Sequence, residues 1–192
     1  MSNTSVKREV ITQAQGGLKI TDILLIAVLL AAGAVLKSFS NIIVGFSPLK
    51  PNFVIAMYCL AIILIKPRFY ESVIIGFLAG VLCQFLPNNT PYANLISEAV
   101  GGAVMALLIM VPMKLNIGRY SFKPAVTTFL STLSSGFTFF FVLKLMILFG
   151  ANLNAKAFAT FMVIIFGTAA VNAIIVQILY APLKLALGKK DI

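Results

Sequence analysis

Apolar residues in this chain fall into six runs that are separated by short polar or proline-containing segments. Within each run nearly every position is apolar, which is typical of helices enclosed by lipid or by other helices on all sides. The pattern predicts an all-α integral membrane protein with six transmembrane helices. The predicted helices are Ile20–Phe39, Asn52–Ile65, Glu71–Leu86, Asn94–Val111, Pro124–Phe149 and Ala157–Leu187.

The predicted helices differ in length. The second is too short to cross a bilayer upright unless the bilayer thins or the adjoining loop dips inward, whereas the fifth and sixth are long enough to tilt or to extend beyond it. We expect three parts along the chain: an N-terminal tail over residues 1–19, one six-helix membrane domain over residues 20–187, and a short C-terminal tail over residues 188–192.

Composition and charge agree with a membrane protein. Of the 192 residues, 60% are hydrophobic and 10% are charged, whereas a soluble domain has about a quarter charged residues. The net charge of +10 does not indicate nucleic-acid binding, because the basic residues stand singly or in small groups between the apolar runs, as topology signals do.

The basic residues are distributed unequally between the two sides of the predicted bundle. One side has Lys7, Arg8, Lys19, Lys66, Arg68, Lys114, Arg119, Lys123, Lys184, Lys189 and Lys190. The other side has Lys37, Lys50 and Lys156. By the positive-inside rule, this predicts a multi-pass protein of the cell membrane with both termini in the cytoplasm.

The sequence argues against enzymatic activity and against a cofactor. It contains no histidine, and its two cysteines, Cys59 and Cys83, lie within apolar runs without a CxxC pair. A zinc site and a Ser-His or Cys-His catalytic system are therefore not expected. The chain also has no GxxxxGK[ST] loop for ATP hydrolysis.

Glu98 is the one acidic residue deep inside an apolar run. An ionisable group in the hydrocarbon region costs at least about 2.5–3.5 kcal/mol, so it persists where it has a partner, water or a ligand. The helical spacing places Asn94, Glu98, Gly101 and Met105 on one face. This face indicates either a ligand site or an internal ion pair that holds the bundle together.

Lys144 is predicted to lie at the same depth as Glu98. Both residues are about one turn inside the outer ends of their helices, roughly 6–8 Å below the surface at about 1.5 Å per residue. A carboxylate and an ammonium group at one depth suggest a pair, a shared ligand, or both in turn. Lys144 could also extend outward to the interface.

Further polar and aromatic residues are predicted to surround the same outward-facing pocket. The candidate substrate-binding residues are Lys50, Asn52, Gln84, Asn94, Glu98, Phe137, Phe141, Lys144 and Asn172. Opposite charges beside aromatic rings suit a zwitterion with an apolar or aromatic side chain, such as a hydrophobic amino acid. The alternatives are that the phenylalanines face lipid and that Asn172 cross-links helices.

A stripe of small residues on the first helix, Ala27, Ala31 and Ala34, keeps to one face. Such a stripe allows another backbone to approach closely. The approaching backbone belongs either to the same bundle or to a different membrane subunit.

Taken in order, these features resemble the substrate-binding S components of energy-coupling factor (ECF) importers. The likeness includes six helices in fewer than 200 residues, both ends inside, no ATPase motif, and an AxxxA motif at Ala27 and Ala31.

The chain is most similar to the tryptophan-transport (TrpP-like) branch. The residues that carry this likeness are Lys50-Pro51-Asn52, Pro91 with Asn94, Ser131–Gly136, and Ala169–Asn172 with Tyr180 and Pro182. The chain departs from the branch at Asn52, where the branch has an acid, and at Glu98, where it tends to be basic.

The resemblance implies a substrate-binding membrane subunit of an ATP-driven importer. It would capture a small solute, best matched by tryptophan or a related amino acid, and would act with a coupling transmembrane subunit and two cytoplasmic ATPases. Ala27, Ala31 and Ala34 would contact the coupling subunit. Two alternatives remain open: a self-sufficient secondary transporter of a small zwitterion in which Glu98 carries a proton, and an S component for a vitamin.

Overall fold

The computed structural model describes residues 17–43, 52–86, 90, 92–113, 115–117, 120–152 and 158–188. The six predicted helices are confirmed. They are α1 (Ile20–Ile43), α2 (Phe53–Ile65), α3 (Phe69–Gln84), α4 (Ala93–Met110), α5 (Lys123–Leu148) and α6 (Phe158–Ala186). Helix ends lie within two residues of the predicted ones, except that α1 continues from Phe39 to Ile43.

Four of the helices, α1, α4, α5 and α6, are long and apolar enough to cross a membrane. Helices α2 and α3 have only 13 and 16 residues. At 1.5 Å per residue they are about 20 and 24 Å long, shorter than a hydrocarbon core of about 30 Å. The expected shortness of the second helix is thus confirmed, and α3 shares it.

Helix α2 lies at the centre of the bundle. Every residue from Val54 to Leu64 is buried, which explains why this segment is apolar on all sides. The helix ends where Lys66 adopts a left-handed conformation (φ 53°), and its N–H donates to the carbonyl oxygen of Ile62 at 2.8 Å. Because other helices enclose α2, its length does not have to match the bilayer.

Glycines bring α3 and α4 into backbone contact. A Cβ atom on Gly80 would lie 2.6 Å from the carbonyl oxygen of Asn94, and one on Gly76 would collide with the carbonyl of Glu98. On the facing helix, a Cβ atom on Gly102 would collide with the carbonyl of Ser72. The close approach fixes the position of the first turns of α4, which carry the predicted site residues Asn94 and Glu98.

The connection between α4 and α5 contains a short β-pairing within an all-helical architecture. Residues Asn116–Ile117 (β1) pair antiparallel with Tyr120–Ser121 (β2). Gln177 of α6 holds this connection, because its Nε2 donates to the carbonyl oxygen of Ser121 at 3.0 Å and its Oε1 accepts from the Ala125 N–H at 3.2 Å. A two-residue pairing of this kind has too little hydrophobic pattern to be recognised in the sequence.

The α3–α4 contact generates a prediction for stability. Gly76→Ala places a methyl group against the backbone of α4, which cannot move without shifting the helix. We expect a loss of about 1–3 kcal/mol. The loss is measured as a lower midpoint of thermal inactivation, using size-exclusion chromatography of the detergent-purified protein after heating.

Gly136→Ala is the matched control. The atoms nearest to a Cβ atom there belong to the Ile165 side chain, at 2.9 Å for Cγ2, and a side chain can rotate away. A loss at Gly136 as large as the loss at Gly76 would contradict the interpretation that α3–α4 backbone contact makes Gly76 critical.

Candidate functional site

The carboxyl group of Glu98 is the centre of a hydrogen-bonded cluster between helices. Glu98 is 1% exposed. Asn52 donates from Nδ2 to its Oε1 at 2.5 Å, and the hydroxyl groups of Tyr58 and Ser135 each donate to its Oε2 at 3.1 Å. The Glu98 side chain of α4 therefore bonds to residues at the start of α2, inside α2 and in the middle of α5.

Asn52 connects this cluster to two further helices. Its side-chain Oδ1 accepts from the Cys83 thiol at 3.9 Å, and its backbone oxygen accepts from Nδ2 of Asn172 at 3.2 Å. The Asn52 side chain makes no capping bond to α2, although the residue stands at the N-cap position. Its amide is bonded to Glu98 instead, so contacts with α3, α4 and α6 fix the beginning of α2.

Lys37 of α1 supplies the cation of the cluster. It is 8% exposed, and its Nζ donates to the sulfur of Cys83 at 3.1 Å. The same sulfur donates to Oδ1 of Asn52, the residue that bonds to Glu98, so Lys37 adjoins the cluster. A buried carboxyl group and a buried ammonium group thus face the same small region from α4 and α1.

Lys144 does not join the cluster, which corrects the expectation that it meets Glu98. Lys144 is exposed, and its Nζ lies 5.5 Å from the centroid of the Phe140 ring. Nine residues separate it from Ser135, the α5 residue that does reach Glu98. At 100° and about 1.5 Å per residue this is a half-turn and roughly 13 Å. Equal depth in two helices does not establish that two side chains point at each other.

The predicted aromatic residues also lie away from Glu98. Phe137 and Phe141 are 43% and 62% exposed, and the Phe137 ring meets that of Phe166 edge-on at 6.4 Å. Phe140 instead packs between α5 and α6, with ring centroids 5.6 Å from Phe158 and 5.1 Å from Phe161.

Two further predicted residues, Gln84 and Asn94, lie at the end of α3 and at the start of α4. Gln84 ties the end of α3 to the turn before α4, because its Nε2 donates to the Gly80 carbonyl at 3.3 Å and its Oε1 accepts from the Tyr92 N–H at 3.1 Å. Asn94 is 5% exposed and lies one turn before Glu98. Lys50 lies outside the described residues.

Four members of the cluster were not predicted as site residues: Lys37, Tyr58, Cys83 and Ser135. Two had detectable signals. Lys37 is a basic residue inside the first predicted helix, where it was interpreted only as a topology signal, and Tyr58 is the only residue with a hydroxyl group in α2. The direction in which each of these side chains points depends on the rotation of its helix, and the apolar pattern of these helices does not specify that rotation.

The small-residue stripe of α1 is accessible. Ala27 and Ala31 are exposed and Ala34 is half-buried. They flank the face that packs on α2, where a Cβ atom on Gly33 would lie 3.0 Å from the Cα of Val54. Packing within the described bundle therefore leaves most of this stripe exposed.

The helices and the enclosed polar cluster define a multi-pass membrane protein with a buried acidic and a buried basic side chain in its interior. A family model described as "Tryptophan transporter TrpP" matches residues 19–187. The chain therefore belongs to this transporter family, which is an ECF S-component family, and the resemblance found in the sequence is confirmed. No curated protein and no solved structure matches the chain.

The cluster generates a prediction for stability. Tyr58→Phe removes one hydrogen bond to a buried carboxyl group and keeps the ring, so we expect a loss of about 1–3 kcal/mol. The measurement is the midpoint of thermal inactivation. Tyr92→Phe, at a side chain that is 67% exposed, is the control and should change little.

A double-mutant cycle identifies the partner of the Tyr58 hydroxyl group. In a Glu98→Ala background, Tyr58→Phe should have a much smaller effect, because the acceptor is already gone. An equal loss in both backgrounds would show that the hydroxyl group stabilises the protein through another residue.

Proposed function

We propose that the chain is the substrate-binding membrane subunit of an ATP-driven ECF importer, and that it captures tryptophan or a related aromatic amino acid from outside the cell. Membership of the transporter family over residues 19–187 carries this proposal. A coupling transmembrane subunit and two cytoplasmic ATPases supply the energy, in keeping with a sequence without a GxxxxGK[ST] loop. The distribution of basic residues favours the cell membrane with both termini in the cytoplasm.

The two charges of the cluster suit the head group of an amino acid. The substrate carboxylate pairs with the Lys37 ammonium group, and the substrate ammonium group pairs with the Glu98 carboxylate. A carboxylate has about four acceptor positions, and Glu98 uses three of them for Asn52, Tyr58 and Ser135. One position remains for the substrate. In this enclosed setting both pairs are stronger than they are in water.

The outer halves of α5 and α6 supply apolar surface on one side of the head-group site. Phe139 follows Ser135 by one turn on the same face of α5 and is partly buried. Phe140 and Phe161 pack beside it between the two helices. In this proposal these rings shield the head group from the outer side, and the substrate side chain extends in the opposite direction along α5.

The exposed stripe of α1 is the docking surface for the coupling subunit. Ala27 and Ala31 have no long side chain, so a facing helix can approach their backbone closely. Lys37 lies on the same helix, near its outer end. One helix therefore carries both a substrate-binding residue and the docking stripe.

The head-group assignment predicts the effect of removing either charge. Glu98→Ala and Lys37→Met should each weaken tryptophan binding by about tenfold or more, because each leaves a substrate charge without its enclosed partner. Isothermal titration calorimetry on detergent-purified protein measures the change.

Lys144→Met is the matched control for these substitutions. Since Lys144 is exposed and contacts Phe140, its loss should change the affinity by less than about twofold. If Lys144→Met weakens binding while Lys37→Met does not, Lys144 and not Lys37 holds the carboxylate.

The docking assignment predicts a separation of binding from transport. Ala27→Trp combined with Ala31→Trp should leave tryptophan affinity unchanged and abolish ATP-dependent uptake, because the bulky rings block the close approach of a partner helix. Ala32→Trp is the control: Ala32 is exposed too, but on a different face of α1. Normal uptake by the double variant would exclude this stripe as the docking surface.

Proteoliposomes distinguish this proposal from a self-sufficient transporter. The chain alone, under a proton gradient, should bind the substrate without accumulating it. Uptake by the chain alone that Glu98→Gln abolishes would overturn the ATP-driven proposal in favour of proton coupling.

A further inference from the structure

Three buried oxygen atoms lack a hydrogen-bond partner in the described part of the chain. They are Oγ1 of Thr128, Oγ1 of Thr132 and Oδ1 of Asn172. The three residues are 0%, 2% and 0% exposed. Each such group costs about 1–3 kcal/mol, and native proteins leave few of them. Three in one region indicate a place that receives a polar group from elsewhere.

The orientation of the Asn172 amide is determined by its other bond. Nδ2 donates to the backbone oxygen of Asn52 at 3.2 Å. Exchanging the two ends of the amide would place oxygen against oxygen, so the nitrogen must face Asn52. Oδ1 is therefore an acceptor held in a set direction.

Asn172 lies between the levels of Thr128 and Thr132 along the paired helices α5 and α6. Helices α5 and α6 run antiparallel, with Ala125 bonded to Gln177 and Gly136 packed against Ile165. Counting residues along both helices from these two contacts places Asn172 at the same height as the α5 segment between Thr128 and Thr132. Thr132 precedes Gly136 by one turn on the α5 face that packs on α6, and Thr128, one turn earlier, points between this face and the one that meets α4.

The other hydroxyl groups of α5 that appear in the hydrogen-bond network are satisfied. Three of them bond back to their own helix: Thr127 to Lys123, Ser134 to Leu130 and Thr138 to Ser134. Two bond across to α4, since Ser131 donates to the carbonyl of Gly101 and Ser135 donates to Glu98. Thr128 and Thr132 differ from these residues of the same helix.

We propose that Asn172, with Thr132 and Thr128 beside it, is the specificity subsite for a neutral N–H group on an aromatic ring, such as that of an indole. This inference rests on the proposed function. Asn172 Oδ1 accepts a hydrogen bond from the ring N–H, and the uncharged hydroxyl groups complete a polar surface without a counter-charge. Since Asn172 is fully enclosed in this structure, entry of the ring includes a local separation of α5 and α6.

The position of the subsite supports this role. Asn172 is bonded to Asn52, and Asn52 is bonded to Glu98, so the subsite adjoins the residues proposed to hold the charged head group. A site that pairs with a ligand N–H rejects an analogue without it far more strongly than an apolar pocket rejects a missing methylene. The subsite would therefore separate a ring that carries an N–H from phenyl rings of similar hydrophobicity.

The test compares tryptophan with β-(3-benzothienyl)alanine, in which sulfur replaces the ring N–H. Calorimetry on the full chain in detergent should give an affinity about tenfold or more higher for tryptophan. In Asn172→Leu the ratio should fall to within about threefold. Losing the bond to Asn52 affects both ligands equally, so it cancels in the ratio.

Two threonine variants keep the test decisive if Asn172→Leu does not fold. Thr132→Val, which removes an unpartnered hydroxyl group, should lower the ratio by about threefold or more. Thr127→Val, which removes a hydroxyl group bonded within its own helix, should leave the ratio unchanged.

The outcomes separate this inference from the proposed function. If tryptophan binds but the wild-type ratio is near one, or if Asn172→Leu and Thr132→Val leave the ratio unchanged, the subsite is wrong and the proposed function stands. If the wild-type chain binds neither ligand, the aromatic amino acid assignment fails, and the subsite fails with it.

Discussion

A carboxyl group enclosed among apolar helices constrains the whole bundle. Glu98 requires polar partners, and it finds them in Asn52, Tyr58 and Ser135 from α2 and α5. A helix that is apolar all round has no hydrophobic pattern that specifies which of its faces meets a neighbouring helix. The partners of Glu98 meet in one arrangement, so a few hydrogen bonds select the relative rotation of three helices.

The rest of the cluster extends this constraint outward. Asn52 links the carboxyl group to α3 through Cys83 and to α6 through Asn172, and Lys37 brings in α1. The glycine contacts between α3 and α4 leave the other side of α4, with Glu98, turned toward α2 and α5. The proposed binding residues are therefore also packing residues. A ligand that redistributes their hydrogen bonds would change helix positions as well as local contacts.

Much of this protein was predictable from residue type and order. Six apolar runs predicted six helices, and an acid inside one of them identified Glu98 as a central residue. Asn52 and Asn172 were also named, and both join the cluster. The pairing of Glu98 with Lys144 was wrong because depth along a helix can be estimated from sequence, whereas the direction of a side chain depends on helix rotation. Lys37 was not predicted as a site residue, because a basic residue near the end of a predicted helix resembles a topology signal.

The amino-acid sequence by itself determined the class of protein, the number and approximate ends of its helices and the presence of an acidic residue inside one of them, because these follow from hydropathy summed along the chain. Tertiary structure decided which cation faces that charge, which aromatic rings lie nearby and which oxygen atoms remain without partners. These properties depend on how helices rotate and on which faces meet. An apolar helix with no distinct polar face leaves that choice to a few buried side chains on its neighbours.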